Sequence, residues 1–242
     1  MSTNTNRRTS RESTPFKIGM LVFPGMTSLD FAGPLDVFAR LPDTEVCVLA
    51  KSLDPVVTDI GLRELPSMRM ADAPMLDLLF IGGGPGVNAL MEDEETISFL
   101  TSRAPRAQYV TSVCTGALVL GAAGLLRGYK AATHWAAMDI LRYFGAEPIP
   151  ERVVIDRNRI TGGGVTAGID FALTIAALLH GPQQAQAMQL GMEYDPHPPF
   201  AGGSASTSAP ALVAAMREGM SAGTQARIDI AKRVAGRKGW LQ

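Results

Sequence analysis

Cysteine is scarce in this sequence, and its scarcity bears on where the protein works. Only Cys47 and Cys114 occur among 242 residues, so no disulfide framework can be read from the chain, and we expect a reducing, cytoplasmic setting. Long apolar stretches are missing too, since no run reaches the roughly 18 to 20 residues that span a bilayer. We therefore expect a soluble protein without a membrane partner.

A strong excess of either charge is also lacking. The formal net charge is −1, so nothing favours nucleic acid as a partner. The sequence contains no HExxH, no CxxC and no carboxylate cluster with metal-ligand spacing, from which we infer no metal. These absences leave a small molecule, or another copy of the chain, as the expected partner.

The chain divides into a short polar segment and a long segment that is richer in apolar residues. Residues 1–15 are rich in Ser, Thr, Asn and Arg and predict a flexible arm. Residues 16–242 are long enough for a single α/β domain. Within it, residues 192–208 predict a long loop because they are rich in Pro, Gly and Ser. The sequence after Ala209 predicts C-terminal amphipathic helix with a solvated basic face that includes Arg227.

Short apolar runs alternate with helix-compatible segments along the chain. The runs 16–25, 45–50, 76–86 and 108–113 predict strands that are covered on both faces. Residues 153–162 predict two further short strands joined by a turn, and residues 167–181 predict a buried helix. This alternation predicts an α/β three-layer sandwich with a mostly parallel central sheet.

Cys114 lies where the fourth apolar run ends and a helix of small residues begins. Functional groups of parallel α/β sheets gather at the carboxyl ends of strands, and a cysteine facing a helix N-terminus is favoured as the thiolate. Cys114 is thus a candidate nucleophile, and a buried apolar filler is the alternative. Cys47 lies inside a predicted strand, so we interpret it as structural.

A nucleophilic cysteine needs a partner that handles protons. None of the three histidines is clearly indicated as that partner. His180 ends a predicted helix, His197 lies in the long loop, and a structural hydrogen bond explains His134 equally well. Asp30 is the other candidate. Burial beside a thiolate would raise its pKa and let it act as a general acid, whereas an N-cap for a helix near Pro34 explains it equally well.

Two glycine-rich loops complete the candidate site. The segment GGGPG, residues 82–86, does not satisfy the dinucleotide-binding pattern, and we expect its backbone N–H groups, that of Gly83 among them, to face a reaction intermediate. Packing against a helix is the alternative use of these glycines. Gly163 and Gly164 lie in a second loop, whose glycines predict backbone mobility beside the site.

Several segments together resemble a known superfamily. These are LDFAGPLDVF, FIGGGPG, YVTSVCTGALVLGAAGLLRGYKAATHW and ITGGGVTAGIDFAL. From Phe16 to about Phe200 the chain is similar to the class I glutamine amidotransferase-like superfamily and, within it, to the isonitrile (isocyanide) hydratases. The resemblance implies a flavodoxin-like sandwich, a homodimer, no metal or organic cofactor, and the hydration of isonitriles to N-substituted formamides.

The resemblance also assigns the site. It implies that Cys114 is the nucleophile and that Asp30 is the general acid and base. It also implies that Thr115 is a catalytic residue and that the backbone amides of Gly84 and Thr115 face the site. A covalent thioimidate on Cys114 would then be hydrolysed by water that the same carboxylate activates.

Three other functions compete with hydration. Protease-like members of the superfamily carry histidine directly after the cysteine, and Thr115 at that position argues against them. Sensor domains of arabinose-regulator-type transcription factors share the motif style but continue into a helix-turn-helix domain of roughly 100 residues, for which the segment after Ala209 is expected to be too short. A redox sensor that uses Cys114 is the third alternative.

Overall fold

A computed structural model describes residues 14–240. The predicted arm lies outside the described residues, apart from Thr14 and Pro15. The centre is a seven-stranded sheet in the order β6-β7-β5-β4-β1-β2-β3, in which only β6 runs antiparallel to its neighbour. Its strands are β1 Phe16–Leu21, β2 Thr44–Ala50, β3 Met68–Arg69, β4 Leu78–Ile81, β5 Tyr109–Val113, β6 Val153–Asp156 and β7 Arg159–Gly162.

The inner strands are apolar because both faces of the sheet are covered. All four residues of β4 are buried, and Ile18 of β1 pairs with Leu78 of β4 on one side and with Val46 of β2 on the other. Two small sheets lie apart from the main one. They pair Val56–Val57 with Arg63–Glu64, and Lys130–Ala131 with Glu147–Pro148.

Helices form the outer layers. The α-helices are α1 Ser28–Phe38, α2 Val87–Leu90, α3 Glu94–Arg103, α4 Gly116–Ala122, α5 Ala167–His180, α6 Pro182–Gly191, α7 Pro210–Gly219 and α8 Ser221–Arg237, with 3₁₀ helices at Met70–Asp72 and Trp135–Phe144. In one layer α1 packs on α5 and α5 on α6, whereas in the other α4 contacts α3, α8 and the longer 3₁₀ helix. The predicted three-layer α/β fold with a mostly parallel sheet is confirmed.

The first helix begins earlier than its proline indicates. We expected Asp30 in a loop before a helix near Pro34, but α1 starts at Ser28 and carries Pro34 inside it. The ring of Pro34 packs closely on α5 at Gly168, where a Cβ would lie 3.0 Å from Pro34 Cδ. Asp30 therefore belongs to the first helical turn, and Thr27 is the N-cap.

Neither a membrane-spanning helix nor a metal-binding cluster is present among the described residues. No helix within residues 14–240 has the length and hydropathy needed to cross a membrane. In the same range no group of three or more His, Cys, Asp and Glu side chains is placed to hold a metal ion.

Candidate active site

Cys114 lies in the tight turn between β5 and α4, in a strained conformation. Its φ of 53° falls in the left-handed region, which a non-glycine residue adopts only when its surroundings enforce it. The backbone is held from both sides. The Cys114 N–H donates to the carbonyl of Gly163 at 2.8 Å, and its own carbonyl accepts from Thr133 Oγ1 at 2.8 Å. These bonds hold a side chain that is only 4% exposed.

Asp30 reaches the same place from the first turn of α1, and it is completely buried. Its Oδ2 accepts a 2.8 Å hydrogen bond from the Gly83 N–H, whereas Oδ1 has no hydrogen-bond partner of standard geometry among the described residues. Burial raises the pKa of Asp30 from 3.8 to about 7, although the Cys114 thiol and the Gly83 N–H lower it. The sequence-based alternative, an N-cap role, is wrong because the Asp30 side chain caps no helix.

The Cys114 thiol is harder to ionise than its position in sequence suggests. Burial, followed by the nearby Asp30 charge, raises the pKa of Cys114 to about 12, although the N–H groups of Val165 and Thr115 lower it. Our expectation of a stable thiolate is corrected here, because desolvation outweighs the effect of the short helix α4. At neutral pH the sulfur keeps its proton and faces a carboxyl that is about half ionised.

The glycine loop after β4 holds the acid and the threonine in place. The N–H of Gly83 is used by Asp30, and the N–H of Gly84 donates to Thr115 Oγ1 at 3.0 Å. Both amides are therefore engaged, which differs from the expectation that they bind an intermediate. No side chain fits at Gly83, because a Cβ there would lie 2.5 Å from Thr115 N and 2.8 Å from Asp30 Oδ2.

The second glycine loop closes the site from the side of β7. Gly164 packs on the imidazole of His134, since a Cβ would lie 2.6 Å from His134 Cδ2. Val165 has a φ of 32°, an unusual value for a β-branched residue. Its backbone N–H hydrogen-bonds the Cys114 sulfur, which lowers the pKa of the thiol. The contacts of Thr133 and Val165 with Cys114 could not be predicted from the sequence, because neither residue type is diagnostic of this chemistry.

The imidazole of His134 has a structural role, because it forms a hydrogen bond with the backbone. Its Nδ1 accepts a hydrogen bond from the Ala136 N–H at 3.3 Å at the start of the longer 3₁₀ helix. Burial and the positive charge of Arg227 both lower the pKa of His134, so the ring is neutral at physiological pH. Asp30 thus remains the side chain in position to exchange a proton with Cys114.

A parallel α/β sandwich with a strained cysteine after an inner strand and a buried carboxyl beside it defines a flavodoxin-like protein with a cysteine-centred site. Residues 16–178 match the sequence pattern of the DJ-1/PfpI family. The chain belongs to that family.

Two relatives are similar to this chain over nearly their whole length, and a third is similar over about half of its length. An isonitrile hydratase of Pseudomonas putida is 50% identical over 219 residues, which cover 90% of this chain and 96% of the relative. The crystal structure of a ThiJ/PfpI family protein from Pseudomonas syringae matches with a TM-score of 0.88 and 47% identity, covering 90% of each chain. The transcriptional regulator GbdR of Pseudomonas aeruginosa is 30% identical over 72% of this chain, which corresponds to 49% of the regulator.

Proposed function

We propose that the protein is an isonitrile hydratase that converts isonitriles to N-substituted formamides, with Cys114 as nucleophile and Asp30 as general acid and base. The observation that carries this proposal is the completely buried carboxyl of Asp30 beside the buried thiol of Cys114, which lies in a strained turn at the end of β5. The 50% identity to the isonitrile hydratase of Pseudomonas putida supports the same reaction.

The first step forms a carbon–sulfur bond. The Asp30 carboxylate takes the thiol proton as the sulfur attacks the terminal carbon of R–N≡C, and one C–N π pair moves to nitrogen. The carbon keeps a lone pair, which accepts the proton from Asp30. The product is a thioimidate, R–N=CH–S–Cys114, and the carboxylate is restored.

The second step consumes water. Asp30 takes a proton from water as the water oxygen bonds to the thioimidate carbon, and it passes that proton to the nitrogen. The tetrahedral adduct then collapses. The proton of the adduct's hydroxyl group moves to the sulfur, the carbon–sulfur bond breaks, and the formamide R–NH–CHO leaves. One carboxyl serves both steps because its pKa lies near neutral pH.

Turnover of cyclohexyl isocyanide tests the proposal. We expect the purified protein to produce the formamide, and Cys114→Ala to produce none. Cys47→Ala is the matched control, since Cys47 is the other buried cysteine and lies in β2, where it pairs with Gly19 of β1; this variant should keep its activity. The proposal is wrong if the protein makes no formamide, or if Cys114→Ala makes as much as the unmodified protein.

We also propose that the enzyme is a cytoplasmic homodimer built from one α/β domain. Two free cysteines suit a reducing compartment, and one hydrophobic cluster joins Ile18 of β1 to Val234 of α8. Leu190 and Phe200 are 81% and 83% exposed, as expected of side chains that a second copy covers. Sedimentation equilibrium should give the mass of a dimer, and a monomer would contradict this assignment.

A further inference from the structure

A cavity of about 750 Å³ lies next to the candidate active site. Thr133, Gly163 and Val165 line it, and each of these residues forms a hydrogen bond with Cys114. The Cys114 side chain is almost completely buried, so only a narrow group such as the linear head of R–N≡C can approach the sulfur. The substituent R must then lie in adjacent space, and a cavity of this volume is in the usual range of small-molecule sites.

The long loop and α7 complete this cavity. Residues 203–206, within the loop predicted at 192–208, line it together with Arg217 of α7. The loop is held there by a turn in which the Ser208 N–H donates to the Ser204 carbonyl at 3.0 Å. Long loops in compact domains are often functional, and a wall of the cavity is a function that this loop can serve.

The apolar part of the cavity comes from the longer 3₁₀ helix. Trp135 and Met138 of this helix line the cavity and are both half-buried. The Trp135 ring has two neighbours, since Arg217 Cζ lies 5.1 Å from its centroid and the His134 ring lies 5.7 Å away. An indole packs favourably against another aromatic ring, and so does a methionine sulfur. This wall therefore suits an aromatic ligand.

The charged groups of the cavity cancel. Two acidic and two basic side chains line it, namely Asp139, Glu151, Arg152 and Arg217. Arg152 is paired with Asp170 at 2.6 Å, and the Asp139 side chain is 92% exposed and lies 3.7 Å from Arg142. The guanidinium of Arg217 rests on the Trp135 ring. With no excess of either charge, the cavity suits an uncharged ligand better than an ionic one.

We propose that this cavity binds the substituent of the isonitrile, that Trp135 is a specificity-determining residue, and that the preferred substrates carry an uncharged aromatic substituent. This inference rests on the proposed hydration reaction. The terminal carbon of R–N≡C points to Cys114 while the ring of R lies against Trp135. An aromatic pair is stabilised beyond the burial of its apolar area, so an aromatic ring is favoured over a saturated ring of the same size.

A size-matched pair of substrates tests this assignment. Benzyl isonitrile and cyclohexylmethyl isonitrile are compared by kcat/KM, and we expect the benzyl compound to be preferred. Trp135→Leu should lower the ratio of the two values roughly 2- to 10-fold, the range of an aromatic pair, whereas Trp135→Phe should keep part of it. 4-Carboxybenzyl isonitrile should be a poorer substrate than benzyl isonitrile, because the cavity has no free excess of positive charge.

The second tryptophan provides the matched control. Trp240 also lies beneath a cation, with Arg127 Cζ 5.0 Å from its ring centroid, but it does not line the cavity. Trp240→Leu should therefore leave the ratio unchanged. The assignment is wrong if cyclohexylmethyl isonitrile or the carboxylate is preferred, or if Trp135→Leu lowers kcat/KM for both members of the pair by the same factor, since that result would mean a structural role only.

A binding measurement separates this inference from the proposed function. If no isonitrile is hydrated, the proposed function fails, and the fluorescence of Trp135 decides on the cavity. The chain has two tryptophans, so Trp135 is the only one left in the double variant Cys114→Ala, Trp240→Phe. Its emission should change as benzyl isonitrile is added and should reach saturation. Emission that stays constant would overturn the assignment of the cavity.

Discussion

Asp30 is expected to destabilise the folded protein at neutral pH, and its replacement by asparagine makes this measurable. The buried carboxyl has a folded pKa of about 7 against an ordinary value of 3.8. A raised folded pKa means that the folded state binds the proton more tightly than the unfolded state. Stability is therefore lost as the pH rises from about 4 to about 7, and the loss is complete above pH 7.

The pKa difference sets the size of the effect. At 1.36 kcal/mol for each pKa unit, the difference between 3.8 and about 7 corresponds to an upper value of about 4 kcal/mol. Asparagine has nearly the same shape and can still accept the Gly83 N–H, but it does not ionise. The free energy of unfolding of Asp30→Asn, relative to the unmodified protein, should therefore rise by roughly 2 to 4 kcal/mol between pH 4 and pH 8.

Urea denaturation at pH 4, 6 and 8 measures this change. Asp36→Asn is the matched control, because Asp36 lies on the same helix with its side chain 66% exposed; its effect should stay within about 0.5 kcal/mol at every pH. If Asp30→Asn shifts the free energy of unfolding equally at pH 4 and pH 8, Asp30 is not a buried carboxyl with a raised pKa. The proposed proton transfer would then lose its basis.

Three further predictions concern the same site. The kcat/KM for isonitriles should fall as the pH drops below about 7, because protonated Asp30 cannot accept the thiol proton; a flat profile down to pH 5 would contradict this role. Gly83→Ala should abolish turnover and lower the melting temperature, since its Cβ would meet Thr115 N at 2.5 Å, whereas Gly191→Ala, with nothing within 4 Å, should do neither. Thr115→Val leaves the buried Gly84 N–H without its acceptor and should destabilise by about 1–3 kcal/mol with reduced turnover; unchanged stability in urea would refute that contact.

The fold was largely predictable because the apolar runs are short and alternate with helices. The runs at residues 16–25 and 108–113 contain β1 and β5, and a parallel sheet brings their carboxyl ends to one edge. Cys114 could be located from this pattern alone. Asp30 was found as a candidate, but its place in a helix was not, because proline is typical of a first helical turn, whereas Pro34 lies further inside α1.

Properties that depend on packing could not be predicted. The pKa of Cys114 follows from how completely other elements bury it, and no local pattern measures that burial. Arg227 is a second case, since the basic residues of α8 were interpreted as one solvated face. Arg233 and Arg237 fit that prediction because both pair with Glu92, whereas Arg227 is partly buried and its Nε is fully buried.

Trapping of the covalent intermediate is the sharpest test of Cys114 as the nucleophile. The protein is mixed with one equivalent of cyclohexyl isocyanide, quenched at intervals, and analysed by intact-mass and peptide mass spectrometry alongside the formamide released. We expect a mass increase of one isonitrile on the peptide that carries Cys114, which forms before the formamide and decays as the formamide appears. Formamide release without any adduct on Cys114, at the same rate in Cys114→Ala, would contradict it.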